Sequence, residues 1–352
     1  MNRMSKLSAI RHGRIVESEF RPYPLLPHAH LQTVLASVAR PTPRLDLRIE
    51  RLELADGDFV DLGFCGEGQG PLVVLLHGLS GGFESKYLRG TARLLLARGF
   101  RCVVLQQRGA GAEPNRLPQS YHHGASHDLR EVLRVMRARE PSTPLYAVGW
   151  SLGGNVLLKC LGEDGARSPL SAAVSVSAPF LLHECALHLA QGFARLYQNK
   201  LLVQLKTNLQ RKFHGRPHPP GLDLAAALAA RDFVAYDNAS TAPLNGFSDA
   251  LDYYARCANR QFLRHIRRPT LVLHSRDDPF MTPTIIPTEQ ELAADVTLEL
   301  SARGGHVGFI AGDARGRPYC WAEQRVTEFL AEQALVPSFA SEDLGADTTA
   351  AA

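Results

Sequence analysis

The sequence has no apolar run approaching the roughly 20 residues that cross a bilayer, so an integral membrane protein is not expected. The N-terminal stretch "MNRMSKLSAIRHGRIVESEF" has neither an adequate apolar core nor a small-residue cleavage site, and so does not read as a secretory leader. There is no concentrated basic face. The 39 Lys and Arg against 35 Asp and Glu are spread along the chain, and nucleic acid is not an expected partner. CxxC is missing: the six cysteines are scattered, which points to reduced, mostly buried thiols in a cytoplasmic protein. Nucleotide motifs are missing too, since "RGAGAEP" lacks the third glycine of a dinucleotide fingerprint and no GxxxxGK[ST] occurs. In "HECALH", His183 and His188 are five apart and Leu187 holds the place a zinc helix needs for its second histidine. No metal and no cofactor is implied.

What remains is 352 residues with 45% hydrophobic and 21% charged side chains, enough for one large α/β domain with an insertion. Residues 1–45 are proline-rich and read as an irregular arm wrapped on the main body. "LRIERLELADGDFVDLGFC" reads as a hairpin turning at Asp56-Gly57. Apolar strands follow at 71–78, 101–107, 145–149 and 172–179, with helical spacing between them at 84–98, 126–139 and 153–162. That βαβ alternation predicts a doubly wound, mostly parallel sheet. It breaks at 181–266, which contains helical segments and no convincing strand, and resumes at 269–275 and 296–301 before a helix near 320–334. A core over 46–180 and 267–335 is expected, with 181–266 inserted after the sixth core strand as a helical cap over the ligand crevice. The tail, 336–352, is small, polar and expected to be disordered. Within the cap, 186–213 is amphipathic and basic. Its expected role is packing on the core, with weak membrane-surface or acyl-chain contact as the alternative.

"PLYAVGWSLGGNVLLKC" places Ser151 between a strand and a helix, with Gly149 and Gly153 where backbones must approach closely. A serine in such a turn projects its hydroxyl above the sheet, next to the free N–H groups of a helix start. It needs a base, itself oriented by a carboxylate, and in this architecture the chain order is Ser, acid, His. "LVLHSRDDPF" sets Asp277 and Asp278 just past a strand end, and the residues alone do not choose between them. "LELSARGGHVGF" sets His306 in a glycine-rich turn after the next strand. "LLHGLSGG" brings the Leu79 N–H to a strand end, where with the Leu152 N–H it would form an oxyanion hole. Tyr121-His122-His123-Gly124 is expected to take a hydrogen-bonded structural role, with lining or buttressing of this crevice as the alternative.

These motifs, with "HAHLQTVL", "LELADGDFVDL", "RGAGAEPNRLPQSYHHGASHDL", "TAPLNGFSDALDYY", "DDPFMTP" and "GGHVGF", resemble the α/β-hydrolase superfamily. Within it they are similar to the YheT-like bacterial hydrolases related to eukaryotic ABHD1/ABHD3-type proteins, from about Phe20 to Phe329. The resemblance implies Ser151 as nucleophile, His306 as base and, as the first aspartate of DDPF, Asp277 as the orienting acid. Trp150 stands where Phe is usual, and "QQRGAG" replaces an Asn-containing run. The implied activity is serine-dependent cleavage of a small-molecule carboxylic ester. The alternatives are acyl transfer to an alcohol, or a binding protein that kept the fold and lost the chemistry. Oligomeric state is not legible.

Overall fold

Alternate residues of the apolar strands feed two different cores, which is why those strands are apolar without a break. The computed structural model describes residues 12–38 and 40–336. The segment expected to be a disordered tail lies almost wholly outside the described residues. Nine strands pair into one sheet: β1 (Arg14–Glu17), β2 (Arg48–Glu53), β3 (Phe59–Cys65), β4 (Leu72–Leu76), β5 (Arg101–Gln106), β6 (Leu145–Trp150), β7 (Ala172–Val176), β8 (Thr270–Ser275) and β9 (Val296–Ser301). Their order is β1-β9-β8-β7-β6-β4-β5-β3-β2, and only β3 runs against the others.

In β4, Leu72, Val74 and Leu76 join the core under α3 (Ser126–Arg139) and α4 (Leu152–Asp164). Val73 and Leu75 join the opposite core, under α2 (Lys86–Leu96) and the C-terminal helix Trp321–Leu335. A strand covered on both faces has no solvent side to mark with polar residues. The chain leaves β4 for β5 on one side and leaves β6 for β7 on the other, although β4 and β6 are neighbours. The loops after β4 and β6 therefore diverge and open a crevice at the strands' C-terminal ends.

The N-terminal arm departs from expectation. It is not wholly irregular: among its described residues, β1 pairs in parallel with β9 and forms the sheet edge, and α1 (Ala29–Ser37) follows. A four-residue strand with a mixed burial pattern carries no readable period, and its partner lies some 280 residues along the chain. The basic segment expected over 186–213 also divides, into α5 (Leu182–Leu189) and α6 (Arg195–Phe213), with Gly192 at φ 51 between them. Helices between β7 and β8 bury their own apolar cluster, and Leu79 and Phe280 pack against both that cluster and the sheet core. No helix among the described residues is long and apolar enough to cross a membrane.

One buried polar knot joins the β2–β3 hairpin, α3, the loop after β5 and α6. Arg108, 3% exposed, donates to both carboxylate oxygens of Asp128 at 3.0 and 2.6 Å and to Asp58 at 3.0 Å. Asn115 donates to Asp58 at 2.5 Å, and Lys212 donates to Asn115 Oδ1 at 2.7 Å and Ser120 Oγ at 3.0 Å. Burial opposes ionisation of Asp128, but the bonds from His127 and Arg108 outweigh it and hold the carboxyl at about 2. Burial pushes the Lys212 ammonium down to about 7. Arg108→Met leaves Asp58 and Asp128 buried without their counter-ion. Urea unfolding is expected to show a loss of about 3–5 kcal/mol; a loss under about 1 kcal/mol would contradict this reading of the knot.

Candidate active site

Ser151 lies between β6 and α4 with φ 54 and ψ −118, a conformation that costs an L-residue about 1–3 kcal/mol unless its surroundings impose it. Here they do. The Ser151 N–H donates to Val176 O at 2.8 Å, and its carbonyl accepts from Asn155 N at 3.0 Å. A Cβ on Gly149 would come 2.3 Å from Gly153 O, one on Gly153 would come 2.6 Å from Leu76 O and His77 O, and one on Gly154 would come 2.6 Å from Ser175 Oγ. Only hydrogen fits at these places, so α4 starts hard against the sheet. Its fourth residue, Asn155, is fully buried. It donates to His123 O and Cys257 O at 2.7 and 2.8 Å and accepts from Asn259 Nδ2 at 2.7 Å.

The Ser151 hydroxyl faces His306. Ser151 Oγ is 2.9 Å from His306 Nε2, and His306 Nδ1 is 2.8 Å from Asp278 Oδ2. A carboxylate only accepts, so Nδ1 carries the proton and Nε2 keeps its lone pair toward the serine hydroxyl. His306 and Asp278 are 8% and 3% exposed, which shields both bonds from competing water. The other oxygen of Asp278 accepts from Phe280 N at 2.8 Å, fixing the carboxylate plane. The Phe280 ring lies flat on the imidazole, with centroids 3.9 Å apart and planes at 7°.

This geometry corrects the choice of Asp277. That side chain is turned away from the imidazole and accepts from Gly305 N at 3.0 Å, holding the turn that carries His306. Burial raises its carboxyl above its ordinary value. Two neighbours just past a strand end point in different directions, and the local pattern does not say which one meets a histidine 28 residues away.

The loop after β4 meets the same place. A Cβ on Gly78 would come 3.1 Å from Ser151 Cβ, so the loop passes in van der Waals contact with the serine. Two tyrosines, half-buried Tyr87 and buried Tyr121, tie its amides: Gly78 N donates to Tyr87 Oη at 2.9 Å and Ser80 N donates to Tyr121 Oη at 2.8 Å. Between them the Leu79 N–H has no acceptor among the described residues. Leu152 is the first residue of α4, so its N–H has no intrahelical acceptor either. Beneath the loop, burial lowers His77 to about 4. The neutral ring donates from Nδ1 to Gly78 O at 2.8 Å and accepts Gln107 N at Nε2, 3.1 Å away.

The hydrogen-bonded role of 121–124 takes specific form: Tyr121 holds Ser80, and His123 Nδ1 lies 2.9 Å from Tyr253 Oη. A cavity of about 340 Å³ opens beside this loop, between Ser80, Gly81 and Gly111 on one side and Gln204, Asn208 and Arg211 of α6 on the other. Among the described residues no three His, Cys, Asp or Glu side chains converge as a metal site would require. Phe280, Tyr87 and Asn155 had no assigned role in the sequence, although the quoted motifs "DDPF" and "SLGGN" contain two of them.

Such an arrangement can raise a hydroxyl's nucleophilicity and stabilise a developing oxyanion. A fluorophosphonate reads that reactivity directly. Asp278→Asn is expected to slow labelling of Ser151 by about 10³–10⁴-fold, and Asp277→Asn, which keeps an acceptor for Gly305, by less than about tenfold. The reverse ranking would restore Asp277 to the role.

A family model of the alpha/beta hydrolase fold matches residues 71–313. YheT of Escherichia coli (strain K12) is 39% identical over 317 residues, 89% of this chain and 93% of YheT. The "Medium-chain fatty acid ethyl ester synthase/esterase 2" of Saccharomyces cerevisiae is 32% identical over 316 residues, covering 82% of this chain and 67% of its own. Phospholipase ABHD3 of Mus musculus is 29% identical over 291 residues, covering 80% and 71%. Among solved structures, the Pyrococcus furiosus esterase Pf2001 superposes with a TM-score of 0.54 at 15% identity, covering 92% of this chain and 98% of that one, a likeness of fold. By family match, relatives and sheet topology together, the chain belongs to the α/β-hydrolase family and, within it, to the YheT-like, ABHD3-type group.

Proposed function

We propose that the protein is a serine hydrolase that cleaves carboxylic esters of hydrophobic acyl groups through an acyl-enzyme on Ser151. The observation that carries this reading is the unbroken line from Ser151 Oγ through the His306 imidazole to Asp278, with bonds of 2.9 and 2.8 Å. His306 Nε2 takes the hydroxyl proton as Oγ attacks the ester carbonyl. Asp278 holds the imidazole's tautomer and steadies the cation that forms. The unpaired N–H groups of Leu79 and Leu152 receive the tetrahedral oxyanion, and the start of α4 adds positive potential. The protonated His306 then gives its proton to the leaving alcohol. Water, deprotonated by the same nitrogen, attacks the acyl carbonyl and frees the acid and Ser151. No step calls for a metal or cofactor.

The hydrophobic acyl group is supported by Leu79 and Phe280, which flank the reacting atoms and continue into the apolar cluster of the helical insertion. Three names among the relatives point to ester chemistry: synthase/esterase, phospholipase and, in Saccharomyces cerevisiae, monoacylglycerol lipase. The first also supports a second reading, in which an alcohol replaces water at the deacylation step. A binding protein would have had no need to keep the hydroxyl, imidazole and carboxylate in register.

The test is a series of p-nitrophenyl esters of increasing chain length, hydrolysed by wild type and Ser151→Ala. Wild type is expected to prefer medium over acetyl chains, and the variant to lose at least about 10³-fold in kcat/KM. Hydrolysis by Ser151→Ala at the wild-type rate would end this assignment. Product analysis with added ethanol separates the two readings: ethyl ester in excess of free acid favours acyl transfer, and free acid alone favours hydrolysis.

A further inference from the structure

His306 sits in a turn closed from within by one backbone bond, Phe309 N to Gly304 O at 3.0 Å. Between β9 and Ile310 the backbone adopts positive φ at Gly305 (64), Val307 (58) and Phe309 (44), and a β-branched residue is a poor occupant of that region. Four other amides of the turn are held from outside. Gly305 N donates to Asp277 Oδ1, Val307 N to Ser177 Oγ at 3.2 Å, and those of His306 and Ile310 go to the N-terminal arm. His306 N donates to Thr33 Oγ1 at 2.9 Å, across 273 residues of chain. The Thr33 hydroxyl spends its own hydrogen on Ala29 O at 2.8 Å, which turns a lone pair toward His306 N. Ile310 N donates to Gln32 Oε1 at 2.6 Å, while Gln32 Nε2 donates to Ile310 O and Leu26 O at 3.1 and 2.8 Å.

The contact leaves no slack. A Cβ on Gly305 would come 2.4 Å from Ala29 O and 2.6 Å from Thr33 Oγ1, and one on Gly308 would come 2.8 Å from the Gln32 backbone. Gln32 is fully buried and Thr33 is 8% exposed. A buried polar pair on a short arm helix, each member bonded to the same turn, does more than cover the sheet edge.

We infer that Thr33 and Gln32 are positioning residues for His306, so that α1 sets the distance and angle of the imidazole toward Ser151. The inference rests on the reading of His306 as the base. Rotation of the His306 peptide after loss of the Thr33 acceptor would move Nε2 off the serine hydroxyl without altering the crevice that receives substrate. It therefore acts on the chemical step and not on binding.

Thr33→Val keeps the shape of the side chain and removes the acceptor; Thr33→Ser keeps the acceptor. Both are compared with wild type at a temperature where circular dichroism shows all three folded. The expected result is a kcat for p-nitrophenyl ester hydrolysis about 10- to 100-fold lower in Thr33→Val with KM within about twofold, and near-wild-type values in Thr33→Ser. A second readout needs no substrate. In 15N-histidine-labelled protein, the Nδ1–H resonance of His306 should shift in Thr33→Val and be preserved in Thr33→Ser. Unchanged kcat and an unchanged His306 resonance in folded Thr33→Val would overturn the inference, as would equal loss in both variants. A shifted resonance with no esterase activity in any form, wild type included, would uphold the positioning role and count against the proposed reaction instead.

Discussion

The site depends on one backbone conformation, that of Ser151 at φ 54 and ψ −118. No local preference of serine produces it. It persists because β6 and α4 are each fixed by their own burial, and the chain between them has a single residue in which to change direction. Val176 O on the neighbouring strand accepts the Ser151 N–H, and glycines at 149, 153 and 154 remove the side chains that would push strand and helix apart. The strain is offset by two cores, one on each face of the sheet. The result is a hydroxyl standing clear of the sheet while the first amide of α4 remains unpaired beside it.

Segments distant in sequence then converge on that hydroxyl for a topological reason. The order of strands reverses between β4 and β6, so the loops after them part and leave an opening. The ends of β8 and β9 reach the same opening and deliver Asp278 and His306. The loop after β4 is shaped so that its amides on either side of Leu79 are held by the hydroxyls of Tyr87 and Tyr121. An N–H group left free between two tied ones is a feature of the tertiary structure, since each tyrosine arrives from a different element.

Much of this was legible in the residues. Strand positions, the hairpin at Gly57 and the helix over 126–139 follow from periodicity and turn chemistry, because these are local properties. Ser151 and His306 were legible because each needs a glycine-rich turn at a strand end. Asp278 was not separable from Asp277: beyond the end of β8 the alternation of side chains lapses, and what decides is whether a carboxylate faces the imidazole or the Gly305 amide. Strand β1 was missed because four residues with mixed burial carry no period. Thr33 and Gln32 sat inside a quoted motif without a role, since nothing local to "HLQT" shows that its partners are His306 and Ile310. What the sequence withholds is which distant element supplies each polar partner.

The central claim is that Ser151 carries the acyl group during turnover. The direct measurement is a rapid acid quench of wild-type protein with a p-nitrophenyl acyl ester, within the first turnovers, followed by proteolysis and mass spectrometry. The account predicts a peptide containing Ser151 heavier by one acyl group, the adduct on the serine oxygen, rising before steady state and absent from Ser151→Ala. An acyl adduct on a different residue, or steady turnover with no adduct at any quench time, would contradict it.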